Sequence, residues 1–210
     1  MIHVDPPAET PAAREVRRKG RAWLAKHPDA TAEQLPSYWR ECRRDLGRGF
    51  GDLCGYCAMW TSPGTVDHFI TRAKSVADKQ PELAYEWSNF RHAQQWINSA
   101  RKGDVLDPFA VGDGWFAITL PDLVLHVTDA CPADRRELAR ETVRQLSLAD
   151  DPRVLDQRIA WMVEYAQSGD IGILQRRAPL LAAAVLASGT PTVWRTYDWS
   201  ALAAPEPPAA

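Results

Sequence analysis

The chain has 210 residues, 45 % of them apolar and 25 % charged, with a formal net charge of −2. That balance excludes a disordered or fibrous chain, and the small negative charge excludes a global basic field, so any nucleic-acid site has to be a local patch. The apolar run Ala178 to Ala187 contains Pro179 and is too short for a bilayer, Met1 to Arg21 lacks the apolar core of a signal peptide, and four cysteines make no disulfide scaffold. These features predict a cytoplasmic protein with reduced thiols and no membrane partner.

Thr10 to Lys26 reads as a helix: Thr10 can cap it, Pro11 suits the first turn, and Glu15, Arg17, Arg18 and Arg21 form a solvated face. A second helix is predicted from Pro36 to Leu46, with Tyr38, Trp39 and Cys42 as its apolar side, ending where Gly47, Gly49 and Gly51 break the pattern. Cys54 to Asp67 is turn-rich and β-prone, with Pro63–Gly64 marking a turn, and Leu83 to Lys102 ends in a helix. The alternating runs Trp115 to Leu120 and Leu123 to Val127 flank Pro121–Asp122 and predict a hairpin. Helices follow over Asp134 to Leu146, Asp151 to Gln167 and Arg177 to Ala187, and the Pro-rich end from Ala203 can bury nothing.

The chemistry-bearing types concentrate between Cys54 and Pro108. In order they are Cys54-Gly-Tyr56-Cys57, Asp67-His68, Tyr85-Glu-Trp87-Ser-Asn89, Asn98-Ser-Ala-Arg101-Lys102 and Leu106-Asp107-Pro108. Hydrolysing a phosphodiester requires a water that loses its proton near neutral pH and a hard cation that neutralises charge on the phosphate. A neutral imidazole can take the proton, a carboxylate and an amide oxygen are hard ligands for Mg²⁺, and Arg or Lys can pair with phosphate oxygens. Asp67, His68, Asn98 and Arg101 or Lys102 supply those parts. Asn98 could equally cap a helix. In a flat strand Asp67 and His68 would face opposite ways, so the grouping requires a bend or a strand end at that step.

This stretch resembles the HNH endonucleases, the family built on a ββα-metal finger. The resemblance implies an α+β, mostly helical fold with a central ββα finger and a small additional hairpin. It implies His68 as general base, Asp67 and Asn98 as holders of Mg²⁺ or Mn²⁺, Asn89 in the hairpin turn, where it pins the hairpin and orients His68, and Arg101 or Lys102 on phosphate. A Pro-x-x-Trp segment before the cysteines, Leu106-Asp-Pro-Phe109 after the finger and the helical region Glu137–Arg158 are similar to the nuclease subunits of retron-associated and Septu-type anti-phage systems. That similarity implies a DNA (or RNA) substrate and an ATPase partner.

The sequence departs from the family where a second cysteine pair would stand, at Gln94 and Ile97. Two thiolates do not close a tetrahedral site, and Cys42, His92 and Cys131, which could contribute, lack the expected spacing, so Cys54 and Cys57 are candidate ligands of a structural zinc and, where zinc is absent, are expected to be buried small apolar groups. Trp87, Trp96 and Tyr56 are expected to replace that staple with an apolar cluster. Arg40, Arg43, Arg44 and Arg48, with Arg72 and Lys74, could track a phosphate backbone, and a solvated helix face accounts for the first four equally well. The expected organisation is an N-terminal helical segment (1–50), a nuclease core (51–110), a hairpin with C-terminal helices for partner docking (111–200) and a flexible tail (201–210). The alternative function is a degenerate finger that binds or regulates without cutting.

Overall fold

The computed structural model describes residues 1–100 and 103–202. Its first helix, α1 (Pro11–Leu24), begins where the Thr10 hydroxyl accepts from the Ala13 amide, with Pro11 in the first turn. It buries Ala13, Val16 and Gly20. Gly20 is required by close approach, since a Cβ there would stand 2.2 Å from the Tyr85 ring. The single helix expected over 36–46 is divided into a 3-10 turn, Tyr38–Cys42, and α2 (Arg43–Gly49). The division lets Trp39 and Cys42 point into the same core as Leu46 and Phe50.

Strands β1 (Thr65–His68) and β2 (Phe90–Ala93) pair antiparallel, with Asp67 opposite Arg91 and His68 opposite Phe90. Helix α4 (Gln95–Ala100) follows directly. The β1–β2 connection is a long one, not a bare hairpin turn. It carries α3 (Arg72–Ala77) and two 3-10 turns, Pro81–Tyr85 and Trp87–Asn89, none of which has an apolar period long enough to be read from sequence. Asn89 therefore stands at the entrance of β2 and not at the tip of a hairpin.

The second hairpin is as expected: β3 (Phe116–Thr119) pairs antiparallel with β4 (Val124–Val127). Helix α5 (Ala133–Gln145) follows, then α6 (Pro152–Ser168), whose first turn is capped by the Asp151 carboxylate accepting from the Arg153 amide. The helix predicted over Arg177 to Ala187 is α8 (Pro179–Ala187); a further helix not expected from sequence, α7 (Ile171–Arg177), precedes it, and the two are separated at Ala178, which leaves helical geometry (φ −152°, ψ 65°) ahead of Pro179. Helix α9 (Pro191–Thr196) and a 3-10 turn (Trp199–Leu202) follow, so the predicted tail begins inside an ordered turn, and its residues 203–210 lie outside the described residues.

The fold is α+β, with two small antiparallel sheets among helices. One core gathers Val16, Trp39, Leu46, Tyr85, Trp87 and Phe90. The larger core joins Cys54, Tyr56 and Ile97 to Phe116, Leu125, Met162 and Leu181, so the boundary expected at residue 110 runs through shared packing. No helix among the described residues is long and apolar enough to cross a membrane.

Candidate functional site

His68 is the last residue of β1, and that strand end lets it and Asp67 serve one site. Both are nearly buried, at 8 % and 4 % exposure, and both line a small recess whose other walls include Glu33, Thr71, Arg72 and Asn98. The recess adjoins an open cleft of about 650 Å³ that shares His68, Arg72 and Asn98 and adds Arg40 and Arg43 to its walls. Asp67, His68 and Asn98 are thus brought together by the β1 end and the first turns of α4.

The His68 ring is fixed on several sides. Trp39 meets it edge-on at 4.7 Å between centroids, and Phe90 does so at 5.4 Å. Its Nε2 lies 3.0 Å from the Ala84 carbonyl oxygen. A carbonyl only accepts, so Nε2 carries a proton, and in the neutral tautomer this contact selects, Nδ1 is the acceptor nitrogen.

Asn89 acts one step behind this bond. Its Oδ1 accepts from the Ile70 amide at 2.6 Å, and its Nδ2 donates to the carbonyls of Ile70 and Leu83, each at 2.9 Å. It ties Ile70, two residues past β1, to the 3-10 turn that presents Ala84, and so places the acceptor for His68.

Asn98 lies inside α4 and not at its start, which removes the capping alternative. Its Nδ2 donates to Thr65 Oγ1 at 3.1 Å and to the Val66 carbonyl at 3.3 Å. With the amide nitrogen committed to β1, Oδ1 is the atom a cation would meet. Asp67 accepts a 2.5 Å hydrogen bond from the Tyr56 hydroxyl. A carboxylate and an amide oxygen beside an open cleft suit a hard cation that keeps most of its water, so the donor set fits Mg²⁺ or Mn²⁺. Among the described residues no group of three or more His, Cys, Asp or Glu is gathered for a metal ion.

Tyr56 is a contributor that sequence reading assigned to an apolar cluster. The structure corrects this: Tyr56 and Trp96 belong to the larger core, whereas Trp87 packs in the other one and donates to the Pro7 carbonyl at 2.7 Å. Trp39 and Ala84 were likewise not read as parts of the site. The signal for Tyr56 was its place between two cysteines whose loop is stitched to β2, the Gly55 amide donating to the His92 carbonyl at 2.8 Å.

Cys54 and Cys57 are both buried. Burial opposes ionising either thiol. Cys54 nevertheless falls to about 7, because it accepts from the Cys57 thiol and from the backbone amides of Cys57, Gln94 and Tyr56, while Cys57 is pushed up. Cys42 lies in the second core, and Cys131 stands beside α5, so neither joins the pair.

The arginines separate into two groups. Arg40, Arg43 and Arg44 are exposed, and no described carboxylate forms an ion pair with them. Arg40, Arg43 and Arg72 wall the cleft, and Arg72 donates to the Ala32 carbonyl at 3.0 Å with its guanidinium 5.0 Å from the Trp39 ring centroid. Arg44 and Arg48 face an adjoining cleft, and Arg48 reaches Asp45 at 3.6 Å. Lys74 lines neither cleft and pairs with Asp78 at 3.0 Å. Arg101 and Lys102 lie outside the described residues.

The strand paired with β1 is anchored by a buried ion pair. Arg91, the cross-strand partner of Asp67, is 3 % exposed and donates to both Asp107 oxygens at 2.7 and 2.6 Å. The guanidinium lies between the rings of Phe69 and Phe109, at 5.0 and 3.6 Å from their centroids.

Compared with known protein families, with curated proteins and with solved structures, the chain gives no match.

Proposed function

We propose that this chain is a metal-dependent endonuclease of the HNH type that hydrolyses phosphodiester bonds of DNA, with RNA as the second substrate. The observation that carries the reading is the common recess of Asp67, His68 and Asn98, opening onto a cleft walled by arginines. His68 Nδ1 takes the proton from the attacking water, and the Ala84 carbonyl shares the charge that appears on the ring through Nε2–H. Asp67 and Asn98 would hold Mg²⁺ or Mn²⁺, which when bound neutralises charge on the scissile phosphate and its leaving oxygen. Arg40, Arg43 and Arg72 draw the phosphate backbone into the cleft, and Arg101 or Lys102 is assigned to a phosphate oxygen by the family resemblance.

The same resemblance places the chain beside an ATPase in a cytoplasmic anti-phage assembly. The net charge of −2 is consistent with a nuclease that relies on a partner to deliver substrate. The test is nicking of supercoiled plasmid with Mg²⁺ or Mn²⁺. Wild type should nick, EDTA should stop it, and His68→Ala should lose at least about a hundredfold, the usual contribution of one general base. A wild type that binds plasmid but never nicks it, alone or with an ATPase partner, would replace this reading with the non-cutting finger.

A further inference from the structure

Next to the cleft just described lies a second one, of about 390 Å³, within the size range of small-ligand sites. Arg43 lines both. The rim of the second cleft is basic, with Arg43, Arg44 and Arg48, and its floor is not. The floor is made of two glycines, Gly47 and Gly64, with Asp52 and His92 behind them.

His92 is 1 % exposed, and its Nδ1 lies 3.1 Å from the Leu53 carbonyl, so Nδ1 is the protonated nitrogen and Nε2 bears the lone pair. Burial lowers its proton affinity below the ordinary histidine range, which keeps the ring neutral at pH 7. No described residue hydrogen-bonds Nε2. That nitrogen lies against the floor: a Cβ on Gly64 would stand 2.1 Å from it, and a Cβ on Gly47 would stand 3.4 Å from it. The same Cβ on Gly47 would lie 2.8 Å from Asp52 Oδ1. Asp52 and His92 therefore place two hydrogen-bond acceptors beside one small region, under a rim of guanidinium groups. Asp52 also adopts a left-handed backbone, with φ of 56°, a conformation in which Gly and Asn are the easier residues.

We propose that this cleft binds one guanine nucleotide, its phosphate on the arginine rim and its N1–H and N2–H donors on Asp52 and His92. Guanine is the base whose Watson–Crick edge presents two adjacent donors. Adenine, cytosine and uracil each place a donor next to an acceptor, and an acceptor facing Asp52 or His92 Nε2 would be repelled. The rim takes phosphate as arginine does elsewhere, in a bidentate fork. The nucleotide could belong to the nucleic-acid strand, one step along from the cleavage cleft through Arg43, or it could be free. The inference goes beyond the cleavage reading and does not depend on it.

Binding is tested by titration calorimetry on the full chain in EDTA, with 5′-GMP, 5′-AMP, 5′-CMP, 5′-UMP and inorganic phosphate. GMP should bind about tenfold tighter than the other nucleotides, in line with one bidentate base contact. Asp52→Asn suits the left-handed position and preserves the fold. It should bring the four nucleotides within about threefold of one another, whereas Arg44→Ala with Arg48→Ala should weaken all four together. Phosphate binding as tightly as GMP, no nucleotide binding, or an unchanged guanine preference in Asp52→Asn would each overturn the proposal. If cleavage is observed, cuts at a fixed offset from guanines assign the site to the strand, and GMP binding without such an offset assigns it to a free nucleotide.

Discussion

Arg91 offers the sharpest test of how the Asp67 strand is held. Its side chain makes four hydrogen bonds: two to Asp107, and one each to the carbonyls of Ser88 and Phe90, both at 2.8 Å. Arg91→Ala removes all four and leaves the Asp107 carboxylate facing the space it vacated. Breaking a buried ion pair from one side costs about 3–5 kcal/mol. Asp107 keeps 21 % side-chain exposure and still accepts from the Phe109 amide at 3.0 Å, which places the expected loss near the lower end, about 3 kcal/mol. For a chain of this length that corresponds to a melting temperature lower by roughly 6–12 °C. Urea denaturation of wild type, Arg91→Ala, Asp107→Ala and the double variant measures the coupling. The pair is expected to be non-additive by about 1–3 kcal/mol, because the second substitution removes the charge that the first stranded. Strict additivity, or a loss below about 1 kcal/mol, would mean that the bidentate bridge does not brace the hairpin.

Other outcomes follow from the same geometry. Tyr56→Phe, isosteric but without the hydroxyl, should cost about 1.5–3 kcal/mol of stability or metal affinity, read by thermal melts with and without Mg²⁺. Asn89→Ala should slow nicking without changing the Mg²⁺ concentration needed for half-maximal rate, because it moves the Ala84 acceptor and not a metal ligand. Converting Arg40, Arg43 and Arg44 together to Ala should flatten the salt dependence of DNA binding by a log–log slope of about 2–3, near 0.9 per lost phosphate contact. His92 gives a pH effect: its folded-state proton affinity is depressed, so the unfolded chain binds the extra proton and stability is complete above the ordinary histidine value of 6.5. Stability should then fall as pH drops below 6.5, and a urea-midpoint series across that range should show a shallower fall in His92→Gln.

Much of the secondary structure was legible because it is encoded locally. Thr10 and Asp151 cap their helices within three residues of their own positions, and the alternation in 115–127 specifies the second hairpin without help from elsewhere. The grouping of Asp67, His68 and Asn98 was legible from residue types and spacing, and the end of β1 at His68 met the condition that grouping required. What escaped sequence reading depends on partners far along the chain. The break at Cys42–Arg43 follows from packing against α1 and the Tyr85 turn, and the β1–β2 connection is held by Asn89, which reaches 19 residues back to Ile70. The Tyr56–Asp67 and Arg91–Asp107 bonds are side-chain contacts across 11 and 16 residues, with no periodicity to announce them.

The central claim is that a divalent cation and one imidazole meet at the end of β1. Anomalous diffraction from crystals soaked in Mn²⁺ tests it directly. The account predicts a single strong peak bounded by Asp67 and Asn98 oxygens beside His68, absent in the Asp67→Ala, Asn98→Ala double variant. Strong Mn²⁺ density elsewhere with that recess empty, or an unchanged peak in the double variant, would contradict it.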